Sequence, residues 1–260
     1  MQLDALRQLA IRAARVGAAL VRDSAGSTTA MDATSKGRGD YVTAVDRAAE
    51  EAIVAALRDG SPDIPIVAEE TGGTPGPLYW SVDPLDGTVN YIRDFPLVGV
   101  SVGLVEEGSP IVGAVAAPFL EREWHAARSL GAHDQGGRPL RVRGGDGRGV
   151  VTTGFPYHDP RLLVRFRPVF DRALATFEDL RRPGSASLDL AYTAQGSFDG
   201  FFELGLNPWD IAAGIVIVRE AGGVVTDWRG DAQAVLGGGD ILAGSPRWHE
   251  RMRDLIADAR

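Results

Sequence analysis

Apolar residues recur at three-and-four spacing from the start of the chain. Leu3, Leu6, Leu9, Ala10, Ala13, Ala14, Val16, Leu20 and Val21 trace one face of an amphipathic helix. Small polar residues fill 24–39, a segment expected to be loosely held. A second helical stripe begins near Thr43, with Val45, Ala48, Ala49, Ala52, Ile53, Ala56 and Leu57 on its inner face. The period then shortens. Ile64 to Ala68 and Leu78 to Val82 read as short buried strands, each running into acidic residues, and Leu97–Val105 and Pro110–Ala117 read as strands joined through Glu106-Glu107-Gly108-Ser109. Glycines crowd between Gly131 and Gly149, the expected seam between two lobes. Helical spacing returns over Leu162–Leu180 and over Ser187–Gln195, which Gly196 stops; Phe198–Leu204 is extended. Asn207-Pro208 opens a helix from Trp209 to Ala221, ended by Gly222-Gly223. Val224–Thr226 and Ile241–Ala243 read as strands, and Ser245-Pro246 starts a closing helix. Helices and strands mix without a strict βαβ repeat, which favours an α+β layered sandwich over a doubly wound sheet. The chain is read as one domain, 1–260, with lobes of about 1–140 and 141–260.

Composition narrows the classes. With 260 residues and 44% hydrophobic content, the chain can bury a sizeable core. The absence of Cys excludes disulfides, thiolate zinc sites and cysteine nucleophiles. A net charge of −8 without a basic block argues against nucleic-acid and membrane-surface partners. Arg7, Arg12, Arg15 and Arg22 interrupt the first helix, so it is neither signal peptide nor membrane span, and the expected location is the cytoplasm.

The densest chemistry lies at Trp80-Ser-Val-Asp-Pro-Leu-Asp-Gly-Thr-Val-Asn90. Pro84 fixes its own φ and biases Asp83 toward extended backbone, so the strand is expected to end there in a sharp turn. That turn would aim Asp83 and Asp86 into one small space with the Leu85 carbonyl between them. A hard divalent cation is the usual compensation for two such anions. The alternative is a solvated Asx-type turn. Asp-Pro-x-Asp-Gly-Thr has five fixed residues, expected by chance in about one in ten thousand chains of this length. Glu69 and Glu70 end the preceding strand before Thr71-Gly72-Gly73, where a solvated loop is the plainer reading. Asp46 and Asp210 each lie in a helix's first turn, where interaction with the helix dipole would suffice to explain them. All of them, however, stand where a strand ends or a helix begins.

With these residues in place, the chain resembles the inositol monophosphatase family of Mg²⁺-dependent, Li⁺-sensitive phosphatases. The resemblance is carried by Asp83–Thr88, Glu69-Glu70, Trp209-Asp-Ile-Ala-Ala-Gly214, Glu220-Ala-Gly-Gly223 and Asp40-Tyr-Val-Thr-Ala-Val-Asp46, in family order over nearly the whole chain. It implies a layered αβαβα sandwich of the inositol monophosphatase and fructose-1,6-bisphosphatase type. It further implies that Glu69, Asp83, the Leu85 carbonyl, Asp86 and Asp210 hold two or three Mg²⁺ ions, and that Thr88 and Asp46, with Glu69, orient and deprotonate the attacking water. Glu70 stands behind the ligands. Backbone N–H groups of Gly87 and Thr88 are expected to meet the phosphate. His125, His133, His158 and His249 lie outside every matching block, which argues against a histidine phosphoenzyme.

For the substrate, the resemblance assigns Asp86, Gly87, Thr88, Ser185, Ala186, Glu203 and Asp210. Glu203 would bond polyol hydroxyls and, as a carboxylate, repel a second phosphate, which favours a polyol monophosphate such as inositol 1-phosphate. A helix cap is the plainer reading of Ser187. The 3′-phosphoadenosine phosphatase, histidinol-phosphate phosphatase and fructose-1,6-bisphosphatase branches stay open. A homodimer is the expected assembly. Val89 stands where many relatives carry a second Thr, and Lys36 does not align with the family's Lys, which leaves a third metal in question. A reading of another class, a regulatory RNA-polymerase- or ribosome-associated binding protein, has no need of so many convergent oxygen ligands.

Overall fold

A computed structural model describes residues 2–26, 33–37, 40–145, 147 and 149–258. The opening stripe forms α1 (Leu3–Asp23), followed by a small hairpin, β1 (Thr34–Gly37) and β2 (Asp40–Val42), and by α2 (Ala44–Gly60). Residues 27–32 and 38–39 of the polar segment, and the Lys36 side chain, lie outside the described residues. Next come β3 (Ile66–Ala68), β4 (Leu78–Asp86), the short α3 (Thr88–Ile92), β5 (Gly99–Glu106), β6 (Ser109–Ala117), β7 (Arg122–Ala127) and β8 (Ala132–Asp134). The second half holds β9 (Val150–Thr153), α4 (Leu163–Thr176), β10 (Asp179–Arg181), α5 (Ala186–Gln195), β11 (Gly200–Glu203), α6 (Pro208–Glu220), β12 (Val224–Thr226), α7 (Val235–Gly238), β13 (Ile241–Gly244) and α8 (Pro246–Asp258).

Two sheets organise the layers, one six-stranded with order β3-β4-β5-β6-β7-β8 and one five-stranded with order β10-β9-β11-β13-β12. On β5, Val100, Val102 and Leu104 join the core under α1 and α2. Ser101 and Gly103, alternating with them, face the other way, toward α6. Helices α5 and α6 fill the space between the sheets, and α4 and α8 cover the far face of the five-stranded sheet. The result is the αβαβα sandwich. As the central layer, α6 is apolar all round, buried from Ile211 through Val218. It lies close to the sheet because Gly103 and Gly113 lack a Cβ: one at 103 would stand 2.8 Å from the Ala212 Cβ, and one at 113 would stand 2.3 Å from the Ala213 carbonyl oxygen.

Three sequence expectations need correction. The strand through Asp83 does not end at Pro84. β4 runs to Asp86, and the ladder slips between Asp83↔Ser101 and Asp86↔Gly99, so a bulge absorbs the proline. Helical spacing over Leu162–Leu180 stops at Thr176, because Phe177 turns extended and Asp179–Arg181 pair in parallel with Val150–Thr152 as an edge strand. Ser187 lies inside the first turn of α5, where Ser185 occupies the cap position. The β5–β6 hairpin closes through Glu107 and Gly108, at φ 47 and 75, a two-residue turn suited to strand twist.

Candidate active site

The two acidic strand ends lie side by side, since β3 and β4 are parallel neighbours with Ala68 opposite Val82. Glu69 continues that pairing through its N–H to the Val82 carbonyl at 3.1 Å. Behind it, the buried Glu50 of α2 accepts the N–H groups of Glu70 (2.8 Å) and Thr71 (2.9 Å), which fixes the turn that presents Glu69. Sequence reasoning missed Glu50. Its signal was an acid one helical turn after Asp46, on the buried stripe.

Asp83 is buried and accepts the Leu85 N–H at 3.0 Å within the bulge. Asp86 presents one oxygen to α5: Oδ2 accepts the Ser185 hydroxyl at 2.6 Å, the Ser187 N–H at 2.7 Å and the Ser187 hydroxyl at 2.5 Å. Gly99 makes the room, since a Cβ there would come within 2.2 Å of the Ser187 Oγ. Asn90 ties the same motif across the molecule, its amide donating to the carbonyls of Leu97 (2.7 Å) and Pro183 (2.9 Å). Between them Gly87 takes φ 96, a left-handed conformation that favours glycine, and starts α3.

Asp46 is fully buried at the start of α2. Its Oδ2 accepts the N–H (2.8 Å) and hydroxyl (2.5 Å) of Thr43, and its Oδ1 faces the Thr88 hydroxyl at 3.1 Å. The Leu85 carbonyl lies at the same 3.1 Å from Thr88 Oγ1, and one hydroxyl proton serves only one of the two acceptors. If the Leu85 carbonyl is drawn to a cation, the proton goes to Asp46. Burial pushes the Asp46 carboxyl up despite these donors.

Asp210 occupies the third helical position of α6 and accepts the Asn207 N–H at 2.7 Å, completing a capping box. The cap and the cavity are thus both served by one side chain. Ser101 on β5 donates to the Trp209 carbonyl at 3.1 Å and pins this turn to the sheet. Glu203 ends β11 against Gly154, where a Cβ would lie 1.9 Å from its Oε1.

One cavity of about 550 Å³ gathers the acids Glu69, Asp83, Asp86, Glu203 and Asp210. Leu85, Gly87, Thr88, Ser185 and Ala186 line it too, whereas Asp46, bonded to Thr88, and Glu70 are not among its lining residues. Burial pushes Asp83 well above the usual carboxylate range, and the charges of Glu69, Asp86 and Asp210 add to the rise. Asp210 is raised likewise, by burial first and then by Asp86. Among the described residues no three acidic or imidazole groups form a closed coordination shell. Mg²⁺ does not require one, because it keeps several waters and is completed by substrate phosphate. Glu69, Asp83, Asp86 and Asp210, two of which (Asp83 and Asp210) have their affinity for protons raised by acidic neighbours, form together with a strand carbonyl an all-oxygen donor set that fits such an ion.

Residues 2–260 match the inositol monophosphatase family. The chain is 39% identical over 262 residues to "Nus factor SuhB" of Escherichia coli strain K12, covering 96% of this chain and 97% of the relative. It is 38% identical over 242 residues to "Fructose-1,6-bisphosphatase/inositol-1-monophosphatase" of Aquifex aeolicus, covering 92% and 90%. Its fold is similar to that of the inositol monophosphatase of Anabaena, with TM-score 0.86, 31% identity, and 99% and 97% of the two chains covered. The chain belongs to the inositol monophosphatase family. Phosphatase activity, a phosphorylated substrate and dependence on metal ions go with that family. No described helix is long and apolar enough to cross a membrane.

Proposed function

We propose that the protein is a cytoplasmic, homodimeric, Mg²⁺-dependent phosphomonoester hydrolase that acts on a polyol monophosphate of the inositol 1-phosphate kind. The observation that carries this reading is the meeting of Glu69, Asp83, Asp86 and Asp210 in one cavity, with the Thr88–Asp46 pair at its wall. Glu69, Asp83, the Leu85 carbonyl, Asp86 and Asp210 would hold Mg²⁺, which supplies charge neutralisation to phosphate and leaving group and acidifies water. The chain's own groups do the rest. Asp46 holds the Thr88 proton, so that Thr88 Oγ1 turns a lone pair to the attacking water, and Glu69 takes up that water's proton. The Ser185 and Ser187 donors fix one Asp86 oxygen and leave the other for the cavity. Ala186 and Glu203 border the space for the alcohol portion, and Gly87 and Thr88 that for the phosphate. In the reaction a P–O bond forms to water, the P–O bond to the substrate alcohol breaks, and the departing alkoxide gains a proton.

Phosphate release from inositol 1-phosphate, with and without Mg²⁺, tests the reading. Metal-dependent release is expected, and no release at any Mg²⁺ concentration refutes it. A regulatory role is supported by the name Nus factor carried by the Escherichia coli relative. Asp210→Asn separates the two roles, since it should abolish hydrolysis and leave a purely surface-mediated function intact.

A further inference from the structure

A second cluster of chemistry-bearing side chains lies at the far edge of the six-stranded sheet, on β7 and β8. His125 and His133 stand directly opposite each other in that antiparallel pair. Their ring centroids are 6.0 Å apart and the rings are 27° from parallel. The Nδ1 atom of each ring is buried and has no hydrogen-bond partner among the described residues. Buried polar atoms are nearly always paired, so two orphans on neighbouring rings call for a shared partner. Gly131 leaves the His133 ring room to turn, since only an added Cβ, 3.3 Å from Cε1, would press on it from that side.

Neither histidine lines the carboxylate cavity. β8 lies four strands from β4, about 19 Å at the usual strand spacing. The chain has four histidines. His158 lines the cavity and the buried His249 meets Thr226, so His125 and His133 are the pair able to give two imidazoles to one ligand. Burial lowers His125 from 6.5 to about 4, which keeps its ring neutral at neutral pH. Glu123, two residues earlier on the same face, is gripped through both oxygens by Arg15 at 2.7 and 2.5 Å, so that ion pair adds no net charge. A neutral imidazole carries one N–H and one lone pair. With the proton on Nε2, each Nδ1 offers a lone pair. An ion about 2.0–2.1 Å from one nitrogen of each ring, at tetrahedral or wider angles, sets the centroids about 5–6 Å apart. The rings already stand at that separation.

We propose that His125 and His133 form a second metal site, separate from the carboxylate cavity, which takes a first-row divalent ion such as Zn²⁺ or Cu²⁺ through the two Nδ1 atoms and completes it with water. The two sites differ in kind. Imidazole suits Zn²⁺, Cu²⁺ and Ni²⁺, with Cu²⁺ the tightest of the series, whereas Mg²⁺ takes oxygen ligands. Two protein ligands leave positions open to water, so the ion is exchangeable. Bound there, it would tie β8, a three-residue strand at the sheet's edge, to β7. It would stabilise the fold without touching the groups proposed for hydrolysis.

The test uses the full-length, metal-stripped protein with Mg²⁺ in excess to fill the cavity, beside His125→Gln and His133→Gln. Equimolar Cu²⁺ should give the parent an electron paramagnetic resonance spectrum with hyperfine coupling to two imidazole nitrogens, and each variant should lose that pattern. Zn²⁺ at a hundredfold excess over Kd should raise the parent's Tm by about 5–10 °C, and that of each variant much less. Without Zn²⁺ or Cu²⁺, both variants should keep the parent's Mg²⁺-dependent phosphate release. A one-nitrogen spectrum would put the ion in the cavity with His158 and overturn the proposal. Unchanged Zn²⁺ affinity in both variants would place the ion elsewhere and overturn it too. A parent with no saturable binding of Cu²⁺ or Zn²⁺ would mean that the two orphan nitrogens meet only water, which equally overturns it. The parent's spectrum needs no variant, so it decides the matter even if a substitution prevents folding.

Discussion

Gly113→Ala tests how the packing of α6 places Asp210. The new Cβ would lie 2.3 Å from the Ala213 carbonyl oxygen and 2.8 Å from the Ala213 Cα. Ordinary C···O contact needs about 3.3 Å, so sheet and helix must separate locally by about 1 Å. Neither side yields easily. β6 is paired with β5 on one edge and β7 on the other, and α6 is buried between the two sheets. Asp210 lies three residues before Ala213, in the same rigid helix, so the shift should reach its carboxylate. Overpacking of this kind costs about 1–3 kcal/mol, which for a domain of this size lowers Tm by roughly 3–10 °C. A misplacement of about 1 Å at a reacting constellation costs on the order of 100-fold in rate. The assay is Mg²⁺-dependent phosphate release beside a thermal melt, with Gly144→Ala as the control, because nothing lies within 4 Å of a Cβ at that position. A Gly113→Ala variant with parental kcat and Tm would refute the packing argument. Lowered Tm with parental kcat would show that the shift stops short of Asp210.

Asp210→Asn should reduce turnover by more than about 100-fold while raising the melting temperature of metal-free protein, because it removes a buried like charge and its amide oxygen can still accept from Asn207. An unchanged rate at saturating Mg²⁺ would contradict the assignment. Thr88→Ala should lower kcat much more than it raises KM, since the hydroxyl acts on the attacking water; a defect confined to KM would contradict that. His249 is buried with its ring nitrogen 2.8 Å from the Thr226 hydroxyl, and burial, with Arg253 adding to it, lowers its pKa from 6.5 to about 4. The unfolded chain then binds the extra proton first, so this stability is complete above pH 6.5 and is lost as pH falls toward about 4. His249→Gln should flatten the fall in Tm over that window, and an unaltered slope would place the pH sensitivity elsewhere.

Long periodic segments were legible in the sequence. The stripe of α1, the Thr43 cap of α2 and the Asn207-Pro208 opening of α6 each have a local physical cause, and all three elements form where that cause predicts. β4 misled at Pro84 because a bulge, decided by the partner strand, can absorb a proline that local rules place at a strand end. β10 lay hidden because pairing with β9, distant in sequence, overrides a helical pattern. At the site, the acids were visible as acids at element ends. The groups that hold them were not: Ser187 meets Asp86 across 101 residues and Asn90 reaches Pro183 across 93.

The central claim is that the converging carboxylates exist to bind Mg²⁺ for ester hydrolysis. Its most direct test is one metal-stripped preparation titrated with Mg²⁺, followed together by thermal melt and by phosphate release from inositol 1-phosphate. Mg²⁺ binding only the folded chain should stabilise it by about 2.7 kcal/mol at a hundredfold excess over Kd, and activity should rise over the same concentration range as the melt. Full activity in excess chelator, with a melting temperature indifferent to Mg²⁺, would contradict the account.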